Sequence, residues 1–70
     1  MFQPGDIIYS YRDNQYHVAK VLRLHDFGGY HLTIYQPLDH VPRKEEVPSL
    51  VPMIMHVPIA QMDDYELLCT

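Results

Sequence analysis

A single cysteine, no tryptophan, three glycines and only five lysines and arginines stand in this chain of 70 residues. The lone Cys69 excludes an internal disulfide and any zinc site built from cysteines. The five cations, Arg12, Lys20, Arg23, Arg43 and Lys44, are too few and too dispersed to form the basic stripe that grips a phosphate backbone. With a net charge of -4 and a pI near 5.6, nucleic acid is not an expected partner. No stretch nears the ~18 consecutive apolar residues of a membrane span, and no charged start leads into an apolar run of signal-peptide type. Together with the missing disulfide, these absences lead to the expectation of a cytoplasmic protein with no membrane partner.

What is present is apolar enough to fold. Residues of hydrophobic type make up 47% of the chain, which rules against disorder. Ordering costs on the order of 1.5 kcal/mol per residue, and at this length one small core has to offset nearly all of it. The expectation is one domain over residues 1–70, with a long proline-rich loop at 38–52.

The strongest regular signal is YHVAKVLRLHDFGGYHLTIY, Tyr16 to Tyr35, which reads as two strands around a glycine turn at Asp26-Phe27-Gly28-Gly29. An earlier strand, Asp6 to Arg12, follows the Pro4-Gly5 turn signal and leads into the polar turn Asp13-Asn14-Gln15. Prolines 37, 42, 48 and 52 interrupt the next segment, and Arg43 to Glu46 place charge at its tip. A loop of that length is functional or mobile. Met53 to Val57 is a fourth strand, Pro58 suits the start of a short helix over Ile59 to Asp64, and Tyr65 to Cys69 is a fifth strand. For the central hairpin, alternation favours pairing in which residue numbers sum to 54 or 56. That puts Leu22, Leu24, Leu32 and Ile34 on a core face, with Ala19, Val21, Arg23, His25, His31, Thr33 and Tyr35 opposite. Five short strands and one helical turn predict a mainly β fold: a small five-stranded antiparallel SH3-like barrel with its helical turn before the last strand.

The segment from Pro4 to Gln36 resembles the Tudor branch of the SH3-like barrels. The likeness rests on Gly5-Asp6, Tyr11, Asp13-Asn14, Tyr16, Ala19-Lys20-Val21 and Tyr35, about half the chain. The resemblance implies an aromatic cage for a methylated lysine or arginine, with Tyr11, Tyr16 and Tyr35 as its walls. The sequence departs from that pattern in having Leu38 and His40 where a further aromatic belongs, and no Trp.

The main expectation is a non-enzymatic module binding a protein or peptide through a tyrosine-rich β surface. Tyrosine adds contact area at low conformational cost. The patch comprises Tyr9, Tyr11, Tyr16, Tyr30 and Tyr35, joined by Arg23 and His31 on the outer face of the hairpin. One alternative is an acidic inhibitor that blocks a basic toxin or nuclease, since the opening Pro4-Gly5-Asp6 is similar to some bacterial immunity proteins. That reading predicts Asp6, Asp13, Asp26, Glu45 and Glu46 on one side. His25 and His31 flank the glycine turn beside Asp26, which are metal-ligand types, but the spacing matches no metal motif. Solvated cross-strand histidines are the expectation, with no metal and no cofactor. His17 and His40 have no evident partner, and His56 reads as a core histidine. No nucleophile stands near a base and an orienting group, so no catalysis is expected. The LLCT end follows a strand with no polar tail, the pattern of a domain cut from a longer protein. Pairing of that last strand between chains is the route to a weak homodimer, the alternative to a monomer.

Overall fold

A computed structural model describes residues 1–26, 28–60 and 62–70. Its five strands are β1 (Ile7–Arg12), β2 (Gln15–Leu24), β3 (Tyr30–Tyr35), β4 (Pro52–Ile59) and β5 (Glu66–Cys69). They form one antiparallel sheet in the order β4-β3-β2-β1-β5. The first four strands are a meander, and β5 returns to pair with the outer side of β1. The chain is thus mainly β with five antiparallel strands, as the alternation predicts. The sheet is not closed into a barrel, because β4 and β5 remain its two edges.

Local chemistry sets the turns. Arg12 pairs with Gln15, so Asp13 and Asn14 alone connect β1 to β2, at φ of 53° and 63°. Two consecutive left-handed residues match the twist of the flanking strands, and Asp and Asn tolerate that region better than most residues. Between β2 and β3, Gly28 donates its N–H to the His25 carbonyl and Gly29 accepts from the His25 N–H. Gly29, at φ 72°, has a second constraint, because any Cβ there would collide with the Ile59 carbonyl oxygen at the end of β4. Phe27, in the predicted turn, lies outside the described residues.

Next to the turn the central hairpin keeps an expected register, with residue numbers summing to 54, but beyond Leu22 it departs from it. Ala19, Lys20 and Val21 pair with Ile34, Thr33 and Leu32, whereas Arg23 and Leu24 pair with His31 and Tyr30. Leu22 is therefore the extra residue of a β-bulge, which shifts the phase of everything before it by one. Ala19 and Val21 become core residues, while Leu22 and Leu24 are 38% and 49% exposed. The core cluster is Ile8, Ala19, Val21 and Leu32, with Phe2, Tyr30, Ile34, Val57, Ile59, Met62 and Tyr65 packed against it. Each large aliphatic side chain removed from water here contributes about 1.5–3 kcal/mol. Tyr30 belongs to this side rather than to a binding patch. Its hydroxyl accepts the Phe2 N–H, and the two rings meet at 5.7 Å.

The expected helix at Ile59 to Asp64 is not formed over the described residues of that range; Gln61 lies outside them. Ile59 instead ends β4, and Pro58 sits within that strand opposite His31. An edge strand tolerates proline because it has no second neighbour to receive an N–H. Among the described residues the one helical segment is a 3-10 helix at Lys44–Ser49, inside the 38–52 loop.

That loop is tied down by hydrogen bonds. Gln36 donates its N–H to the Val51 carbonyl, closing the ends, and Tyr16 and Leu38 exchange both backbone hydrogen bonds. His40 links Asp39, at 3.0 Å, to Glu46, at 2.5 Å, and Glu46 also accepts the Arg43 N–H. The termini are tied in a similar way. The buried Asp6 carboxylate accepts the Gln3 N–H and the Thr70 hydroxyl, while Gly5 and Asp6 clasp Val21 by backbone bonds.

Candidate functional site

Strand pairing assigns the second face of the sheet. Tyr9 lies between Val18 on β2 and Glu66 on β5, and Tyr11 lies opposite Tyr16. On the same face follow Lys20 with Thr33 and Arg23 with His31. Ile7, Val18 and Thr33 are buried on this face, so it is only partly open to water.

At one end stand the tyrosines. The Tyr11 and Tyr16 rings lie 4.7 Å apart, tilted by 49°, and Tyr9 adds a third ring 6.4 Å from Tyr16. Tyr11 is 58% exposed, while Tyr9 and Tyr16 are half-buried. The hairpin turn explains the arrangement, since a two-residue connection puts Tyr11 directly across from Tyr16 at the strand ends. Acidic groups flank the trio. Glu66 is the cross-strand neighbour of Tyr9, Asp13 follows in the turn, and Asp64 stands 3.9 Å from the Arg12 guanidinium. Tyr35 is not part of this group. It pairs with Pro52 at the β4 side of the sheet, half-buried, and burial pushes its phenol above the ordinary value of 10.0. Among the described residues no ring packs against it. The three walls of the implied cage, Tyr11, Tyr16 and Tyr35, therefore do not converge.

At the other end three histidines meet. The His25 and His31 rings stack at 4.8 Å, only 9° from parallel, and His31 Nδ1 lies 2.6 Å from His56 Nε2. His56 is exposed on β4 and partnered by His31, not buried in the core. Desolvation holds the His31 imidazole below the usual 6.5, with Arg23, His56 and His25 acting in the same direction and Asp26 opposing them. His25, Gly28, Pro58, Ile59 and Ala60 line a shallow cleft of about 160 Å³, small beside the ~300 Å³ at which sites begin to enclose a small molecule. Among the described residues no group of three or more His, Cys, Asp or Glu side chains is placed to hold a metal ion. Sequence reasoning brought His25 and His31 together but missed His56, whose encounter depends on the β3–β4 register.

No family model, curated protein or solved structure matches this chain. The described sheet supports a small β fold, and the functional reading rests on this chain's own surface. No helix among the described residues is long and apolar enough to cross a membrane.

Two of the five acidic residues of the expected blocking surface are engaged within the chain. Asp6 is buried and bonded to Gln3 and Thr70, and Glu46 is engaged by His40 and Arg43.

Proposed function

We propose that this chain is a non-enzymatic cytoplasmic module that binds an extended peptide or protein segment carrying basic side chains. The contact surface is the tyrosine end of the second face. The observation that carries the reading is the clustering of Tyr9, Tyr11 and Tyr16 beside Glu66, with the Tyr11 ring more than half exposed. A lysine or arginine over such a ring is attracted by its quadrupole, by about 0.5–1 kcal/mol at an exposed site. A neighbouring carboxylate adds to that attraction and disfavours acidic partners. The loop over 38–51, tied to Tyr16 through Leu38, forms one rim. Tyr35, Arg23 and His31 lie farther along the same face and extend the surface that a longer partner would cover.

A methylated lysine or arginine remains a ligand of the right chemistry for the tyrosine trio, without Tyr35 as a wall. The acidic-inhibitor reading is the less favoured one, because Asp6 and Glu46 are committed internally. The test uses intrinsic tyrosine fluorescence, which no tryptophan obscures. Titration with hexa-arginine is expected to change the tyrosine emission saturably, and hexa-glutamate is expected to leave it unchanged. The paired variant Tyr11→Ser with Tyr16→Ser should abolish the response while keeping the native fold. Equal responses to both peptides, or a response surviving the double substitution, would refute the reading.

A further inference from the structure

The histidine end of the sheet has a geometry that its solvation alone does not require. His31 on β3 and His56 on β4 come from hydrogen-bonded neighbouring strands, and their facing nitrogens are 2.6 Å apart. Two imidazole nitrogens at that separation share one proton, one donating and the other accepting. A metal ion bound by both nitrogens replaces that proton, at about 2.0–2.1 Å from each. Two ligands of a tetrahedral centre with such bonds stand about 3.3 Å apart, so the two rings have to separate by about 0.7 Å and turn outward to bind the ion.

We propose that His31 and His56 form a two-imidazole chelate for a borderline divalent transition metal, with water filling its remaining positions. The backbone pairing of β3 with β4 preorganises the two ligands. The parallel stacking of His25 on His31 helps fix the plane of the central ring. Imidazole selects copper, nickel and zinc over magnesium and calcium, which take oxygen ligands, and Cu²⁺ binds such a site more tightly than Zn²⁺. Arg23, across from His31, opposes the added charge and Asp26 favours it, so an exchangeable site rather than a permanent cofactor is expected. Because the ligands join the edge strand to its neighbour, the bound ion clamps β4 onto the sheet. His40 offers no comparable pair, since Asp39 and Glu46 occupy both of its ring nitrogens.

The test is carried out on the whole 70-residue chain. Zn²⁺ at about ten times its dissociation constant should raise the melting temperature by about 5 °C or more, reversibly with EDTA, and Mg²⁺ should leave it unchanged. Substoichiometric Cu²⁺ should broaden the NMR signals of His31 and His56, and of the stacked His25, before those of His17 and His40. The Zn²⁺ shift should vanish in His56→Gln and persist in His17→Gln and His40→Gln. Lack of selective broadening at His31 and His56 in the wild-type chain overturns the proposal, whatever the melting shift. So does a Zn²⁺ shift that survives His56→Gln.

Discussion

Leu22 and Leu32 are chemically identical, and simple alternation puts them on the same face, but the bulge separates them. Leu32 is fully buried within the core cluster, whereas Leu22 is 38% exposed at the bulge. Leu→Ala deletes three carbons in either place. At Leu32 the lost transfer free energy is about 2.4 kcal/mol, from ~0.8 kcal/mol per buried carbon. The residual cavity adds about 1 kcal/mol more, for a loss of roughly 3–4 kcal/mol. At Leu22 the site opens to solvent, no cavity remains, and the loss is at most about 1–1.5 kcal/mol. A domain of this size has a total stability of roughly 4–10 kcal/mol, so the Leu32 variant sits close to unfolding at 25 °C. Urea denaturation of the two variants, with m-values compared to confirm two-state behaviour, measures the difference directly. If Leu32→Val is used as a milder step, its loss should be about 1 kcal/mol. Equal losses for Leu22→Ala and Leu32→Ala, within about 0.5 kcal/mol, would refute the bulged register and restore the unbulged one.

Other expectations follow from the same contacts. Gly29→Ala should be far more destabilising in thermal melts than Gly28→Ala, because only at Gly29 does a Cβ meet the Ile59 backbone; Gly28, at φ 94° with open space around it, should lose about 1 kcal/mol from conformational strain alone. Asp6→Ala leaves the Gln3 N–H and the Thr70 hydroxyl without their acceptor, and a loss of about 1–3 kcal/mol is expected, accompanied by faster amide exchange at Gln3. The Asp39–His40–Glu46 tie should depend on pH at both ends. The carboxylates raise His40 above 6.5, so its contribution is complete below 6.5 and fades as pH climbs through the raised value. His40 holds Asp39 and Glu46 below 3.8 and 4.5, so their contribution is present above those values and fades in acid. Amide exchange in the 38–51 loop should therefore be slowest, after correction for intrinsic rates, between about pH 4.5 and 6.5, and His40→Gln should flatten that profile.

Much of the sheet was legible because local signals and tertiary structure agree. Alternating Ile and Tyr marked β1, Asp13-Asn14-Gln15 marked a turn, and MIMHV and YELLC marked the last two strands. The register was legible beside the turn, where Arg23 and Leu24 pair at the expected sum of 54, but not beyond the bulge. A bulge inserts one residue without changing composition, and the adjacent apolar pair Val21-Leu22 fits either phase until β3 is laid beside it. Pro58 misled for a related reason: it is a helix starter by propensity, but here it occupies the unpaired side of an edge strand, which no local pattern reveals. Closure of the sheet depends on whether the strands at its two ends meet, a long-range matter on which strand count is silent. The Tyr11–Tyr16 contact was not legible, because the expected turn took in Gln15, which instead pairs with Arg12 and leaves a two-residue connection. Tyr35 and His56 could not be placed, since each depends on how β4 lies against β3.

The tyrosine surface is tested most directly by two-dimensional NMR titration of the labelled chain with hexa-arginine. The account predicts progressive, saturable shifts at Tyr9, Tyr11, Tyr16 and Glu66 and along the 38–51 rim, with the buried amides of Ile8 and Leu32 unmoved. Shifts centred on the exposed Met53-Ile54-Met55 edge, or no saturable shift at any residue, would contradict it.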